Sequence, residues 1–203
     1  SAAVNVKHAY ITLGGFWVGL APSLFDGDLS GEFDTAGFSD EIHSIGYSFD
    51  NGSGLTAAVA LEEANFNVDF IPNVVGKFGW TGGMFGVKIF GAYDATAEEG
   101  SLKGIIDIKP TDRLTVSAIG IWESGSNFYS AAPYQSHVNK SLSWLGLFLP
   151  AAPTVVGGYE WSLGGQVAFQ ATDKLNVVFG GQYFADSHAA GTDAYTIGAS
   201  AGY

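Results

Sequence analysis

Side-chain character in this chain alternates with a period of two residues, and that alternation constrains the fold more than any motif does. From Tyr159 to Phe169, the residues Tyr159, Trp161, Leu163, Val167 and Phe169 share one face, while Glu160, Ser162, Gly164 and Gln166 share the other. The same pattern returns with Leu175, Val177, Phe179 and Tyr183, with Tyr195 and Ile197, with Leu114, Val116 and Trp122, and with Leu102, Ile106 and Ile108. Successive side chains of a strand point to opposite faces, so each run has one greasy face and one mainly polar face. The reading gives eleven strands: Lys7 to Leu13, Phe16 to Leu20, Ile42 to Phe49, Leu55 to Leu61, Val74 to Thr81, Met84 to Tyr93, Leu102 to Lys109, Leu114 to Trp122, Tyr159 to Ala171, Leu175 to Phe184 and Ala194 to Tyr203.

The greasy face has to meet something apolar. No uninterrupted apolar run reaches the roughly 18 residues that a spanning helix needs, so strands are left as the only means of crossing a membrane. Hydrocarbon satisfies no backbone polar group, and a charge facing it at mid-bilayer costs roughly 2–4 kcal/mol. Lys77, Lys88, Lys103, Asp107 and Glu160 all fall at positions of the polar face. Aromatic residues gather at strand ends on the other face: Trp122, Tyr159, Trp161, Tyr183 and Tyr195 at one end, Phe49, Trp80, Phe169 and Tyr203 at the other. Such belts mark the two membrane interfaces.

The connections alternate in length. Gly14-Gly15, Asp50 to Gly54, Gly82-Gly83, Pro110 to Arg113 and Thr172-Asp173 are tight turns, whereas Ala21 to Glu41, Glu62 to Asn73, Asp94 to Ser101, Glu123 to Gly158 and Ala185 to Asp193 are long. That rhythm predicts an all-β, transmembrane, antiparallel up-and-down β-barrel with turns on the periplasmic side and loops outside. Residues 1–203 form a single barrel domain in this reading. Its odd strand number implies a piece of a larger barrel, incomplete at both ends, because neighbouring antiparallel strands close a barrel only in even number. The competing readings are a smaller, non-conducting outer-membrane barrel serving as a structural protein or adhesin, and a soluble carbohydrate-binding β-sandwich.

Several segments carry a resemblance. The run Lys7 to Gly19 with Ser23-Leu24-Phe25-Asp26, then Tyr93-Asp94 with Glu98-Glu99, Pro110 to Leu114, and Gly157 to Trp161 with Ala171 to Leu175, resemble in order the general diffusion porins of alphaproteobacteria, the Rhizobiales-type outer-membrane porin family. The resemblance implies a homotrimer of barrels of about sixteen strands, in contact with outer-membrane lipid and lipopolysaccharide. It also implies that residues 21–41 form an inward constriction loop and residues 123–158 a long external loop. The implied function is passive diffusion of ions and small hydrophilic solutes through a water-filled channel, with neither cofactor nor chemical step. At Leu20 the sequence departs from such porins, which often carry a basic residue just after the Val-Gly of that strand.

Within the loop, Asp26, Asp28, Glu32, Asp34, Asp40 and Glu41 are candidate constriction residues, and Lys77, Lys88 and Lys103 are candidates for the opposite pore wall. Acidic groups in a narrow, low-dielectric passage attract cations and repel anions; a solvated acidic surface loop is the plainer alternative. Fifteen of the 20 acidic residues fall in the five long loops or at their edges, against Lys140 as the one base there, which predicts cation preference. Asp26, Asp28, Ser30 and Asp34 follow the spacing of a calcium loop, but Gly37 stands where its bidentate Glu is required, so an EF-hand is excluded and only a weak calcium candidate is left.

Other chemistry finds no support. The net charge of −12 argues against nucleic acid. There is no Cys, and His8, His43, His137 and His188 are scattered, so neither thiol chemistry nor a structural metal is indicated. The apolar stretch Ser143 to Ala152 is unusual for an external loop, and three readings stay open for it: folding into the barrel mouth, packing on a neighbour, or touching the lipid headgroups.

Overall fold

The computed structural model describes residues 7–27, 29, 41–63, 71–131 and 158–202. Eleven strands make one antiparallel sheet in which every strand pairs with its sequence neighbours. They are β1 (Ala9–Leu13), β2 (Phe16–Pro22), β3 (Glu41–Asp50), β4 (Leu55–Glu63), β5 (Asn73–Gly82), β6 (Phe85–Asp94), β7 (Glu99–Thr111), β8 (Leu114–Glu123), β9 (Tyr159–Gln170), β10 (Asn176–Ser187) and β11 (Ala194–Gly202). This is the up-and-down strand order of a porin barrel wall, with β1 and β11 at the two open edges. A soluble sandwich would bury the greasy face under a second sheet. Here all the described strands lie in one sheet, and that face is exposed.

The turns follow from their residues. Gly14 and Gly15 both have positive φ, as a two-residue hairpin turn requires, and a side chain at Gly15 would meet the Ser48 carbonyl at 2.6 Å. The Asn51 side chain accepts the N–H groups of Ser53 and Leu55, closing the β3–β4 turn.

One long loop of the sequence reading is short. Asp94 to Ser101 contracts to residues 95–98 between β6 and β7. The Asp94 carboxylate accepts the N–H groups of Thr96 and Ala97, the Asn73 amide oxygen accepts that of Ala95, and Glu98 takes a left-handed conformation. Local side-chain bonds close a tight turn there, and β7 starts at Glu99.

The two faces separate as the alternation requires. Ile45, Tyr47, Phe49, Val59, Phe78, Trp80, Ile89, Ile106, Val116, Leu163, Val167 and Phe179 are exposed on the outer face. At the loop ends Trp122 pairs across the strands with Trp161, whose ring lies 5.6 Å from that of Tyr183. Tyr159 is a correction: it is buried in the inward cluster, 5.2 Å from the Phe184 ring, and does not join the outer belt. Left-handed Gly158 and Asp186 stand at the ends of β9 and β10, and the alternation slips so that Glu160 and Trp161 are both exposed. Tyr203 lies outside the described residues.

Replacing Val167, on the outer face, with Arg is expected to destabilise the lipid-inserted protein by about 2–4 kcal/mol. Thr115→Lys, on the inner face, is expected to cost little. Unfolding titrations in lipid vesicles measure both.

Candidate functional site

The inner face carries a patch that the alternation does not lead one to expect. Val75, Phe90, Ile105, Ile119 and Ile121 sit at inward positions of four adjacent strands, β5 to β8, and all are buried. The pairing aligns them: Ile105 faces Ile119, and Lys77, Phe90, Lys103 and Ile121 run as one row across the four strands. A greasy shelf on a water-facing wall needs a cover.

The cover comes from two connections. After β2 the chain turns inward, and Phe25 and Leu29 join the shelf residues in one hydrophobic cluster. Phe25 contacts Phe90 with ring centres 6.2 Å apart. Gly27 permits the approach, since a Cβ there would lie 2.6 Å from the Phe90 ring. The second contribution is Tyr129, just past β8, with its ring 5.3 Å from Phe25 and also 5.3 Å from Phe128.

Lys103 holds the first segment from below. By sequence it is a candidate for the pore wall; the structure puts it on the inner face but beneath the cover, with only 1% of its surface exposed. Its Nζ donates to the Phe25 carbonyl and lies 4.4 Å from the Phe25 ring centre and 4.7 Å from that of Phe90. A buried ammonium needs such compensation, and the faces of two aromatic rings add to the carbonyl. Lys77 sits on the other side of Phe90, at 5.0 Å from its ring.

Carboxylates at the strand ends fasten both segments. Glu62, fully buried at the end of β4, accepts the Ser23 hydroxyl at 2.8 Å, the Leu24 N–H at 2.6 Å and the Tyr129 hydroxyl at 3.1 Å. Asp94 accepts the Phe128 N–H at 2.8 Å, and Glu123 accepts that of Ala131. His188 Nε2 lies 3.7 Å from the second Glu123 oxygen. Burial first, and then the Glu62 charge, push the Tyr129 hydroxyl up, which keeps it an O–H donor. By sequence Glu62, Asp94 and Glu123 count as charge at an outer mouth, whereas all three are enclosed and each accepts an N–H from an inward segment.

The remaining candidates divide between described and undescribed residues. Asp26 is half-buried on the inward segment, and its charge and that of Lys88 act with opposite sign on Lys77 of the inner wall. Glu41 opens β3 and lies 3.8 Å from His8 Nε2. Asp28, Glu32, Asp34 and Asp40 lie outside the described residues, as do Ser30 of the calcium pattern and the stretch Ser143 to Ala152. Among the described residues no group of three or more His, Asp or Glu side chains is placed to hold a metal ion. On the turn side of the inward segment lies a cavity of about 530 Å³ bordered by Leu24, Ser48, Thr56, Ala58 and Lys77. A second space of about 410 Å³, lined by Asp50, Thr56, Lys77 and Lys88, shares residues with it.

The chain matches the family model described as "Porin subfamily" over residues 1–203. It is 31% identical to the porin Omp2a of Brucella suis biovar 1 over 188 residues, which is 86% of this chain and 45% of that relative. It is 30% identical to the porin Omp2a of Brucella ovis over 187 residues, 86% of this chain and 48% of the relative. With the porin Omp2b of Brucella canis the identity is 28% over 192 residues, 86% of this chain and 47% of the relative. The chain therefore spans about half the length of the curated relatives it matches. No solved structure matches it.

Lys103→Met keeps the aliphatic stem but removes the amine from the Phe25 carbonyl. The expected loss is about 1–3 kcal/mol, seen as a lower midpoint for heat-induced loss of the folded band on a gel.

Proposed function

This chain belongs to the porin subfamily, a family of the bacterial outer membrane, and from that premise we propose that it forms part of the wall and the inward constriction of a water-filled diffusion channel. Ions and small hydrophilic solutes pass down their gradients, with no chemical step. The observation that carries this reading is the inward fold of residues 23–27, with Leu29, onto the shelf of β5–β8, on the face of the sheet opposite its apolar outer face. A segment held on the inner face narrows whatever space the wall encloses.

Selection at the narrowed level rests on charge. Asp26 lies on the inward segment and acts electrostatically on Lys77 of the inner wall, as does Lys88 beside it, so a solute there crosses a field between an acidic loop and a basic wall. The acidic residues that the sequence assigns to Asp28, Glu32, Asp34, Asp40 and Glu41 strengthen the acidic side and make the channel cation-preferring. The exposed acids Glu63, Glu98 and Asp186 near the outer strand ends concentrate cations at low ionic strength. In the assembled protein the barrel is completed to about sixteen strands, three copies associate, and the aromatic belt at the loop ends meets lipopolysaccharide.

The full-length protein in a planar bilayer under a salt gradient tests this. Current steps whose reversal potential shows cations more permeant than anions are expected, and the preference should weaken as ionic strength rises. Lys77→Gln combined with Lys88→Gln should increase it. Anion preference would contradict the charge assignment; absence of conductance would favour a structural barrel.

A further inference from the structure

The first residues of the β8–β9 connection reach back along the inside of the mouth across four strands. Asn127 Oδ1 receives the Ser101 hydroxyl of β7 at 3.0 Å, Phe128 N–H reaches Asp94 of β6, and the Tyr129 hydroxyl reaches Glu62 of β4. From β8 to β4 is four strand spacings, about 19 Å along the sheet. A connection that only capped its own strands would have no bond so far away.

At Glu62 the two connections meet. One carboxylate receives Ser23 and Leu24 from the β2–β3 connection and Tyr129 from the β8–β9 connection. Above it the rings of Phe25 and Tyr129, both fully buried, lie against each other. Neither segment can shift without breaking the other's contacts.

We infer that Tyr129 and Glu62 are positioning residues that lock the inward segment 23–27 in place through the β8–β9 connection, so that two connections jointly set the open width of the pore. The inference rests on the channel reading above. It gives Tyr129 a role in permeation although the residue touches no solute path.

The test is single-channel recording of the full-length protein as wild type, Tyr129→Phe, Glu62→Gln and the double variant, with heat-modified gel mobility recording that each is folded. Tyr129→Phe keeps the ring and removes only the hydroxyl. It should raise the share of time spent in conductance substates by about fivefold, the shift expected when one buried hydrogen bond is lost from a two-state equilibrium. The double variant should show less than the combined effect of the two single changes, because the Tyr129–Glu62 bond is common to both. Phe25→Leu, which trims the ring contact between the segments, should act in the same direction, and it replaces Tyr129→Phe as the probe if that variant does not fold. A conducting wild type whose Tyr129→Phe and Phe25→Leu forms show unchanged substates, or lowered thermal stability alone, overturns the inference while leaving the channel reading intact. A folded wild type without conductance defeats the channel reading and this inference with it.

Discussion

Every backbone polar group of a chain that crosses hydrocarbon must find its partner inside the protein, and in a strand that partner is the neighbouring strand. The rest of the structure depends on this constraint. Because the ladders from β1 to β11 consume the backbone bonds, the side chains are free to serve two solvents. One face can be as greasy as Val167, Leu163 and Phe179 without aggregating, and the other can carry Asp107 bonded to Ser117, or Gln182 bonded to Ser162.

The inner face then faces a problem that the ladder does not solve. A segment crossing the inside of a barrel has no neighbouring strand, so its N–H groups and its position must be secured by side chains. Glu62, Asp94 and Glu123 do this from the strand ends, accepting N–H groups of Leu24, Phe128 and Ala131. Lys103 does it from below through the Phe25 carbonyl. Carboxylates and an amine suit the task because hydrogen bonds to charged groups are stronger than neutral ones. The greasy shelf of Phe90, Ile105 and Ile119 supplies the area, while the charged groups fix where the segment lies on it.

The strands were legible because period two is enforced residue by residue. The expected bounds for β8, Leu114 to Trp122, stop one residue short of the observed Leu114–Glu123. What the sequence did not disclose lies at strand ends and across the chain. Glu62, Asp94 and Glu123 look the same as solvated loop charge until the structure puts the backbone of a distant connection against each one. Tyr159 obeys the alternation in sequence, but left-handed residues at the strand ends turn it inward. A signal for the inward cover was nevertheless present. Ile105, Ile119 and Ile121 are apolar at water-facing positions of adjacent strands, and together they mark a surface that something else must cover.

The claim that one face meets lipid and the other water is tested most directly by scanning β4 with single cysteines, since the chain carries none of its own. With the full-length protein in vesicles, Thr56→Cys and Ala58→Cys should react with a charged, water-soluble thiol reagent. Ala57→Cys, Val59→Cys and Leu61→Cys should not react with it, and dyes placed there should be quenched by a lipid-confined quencher. Reactivity without that two-residue period, or with the faces exchanged, would contradict the account.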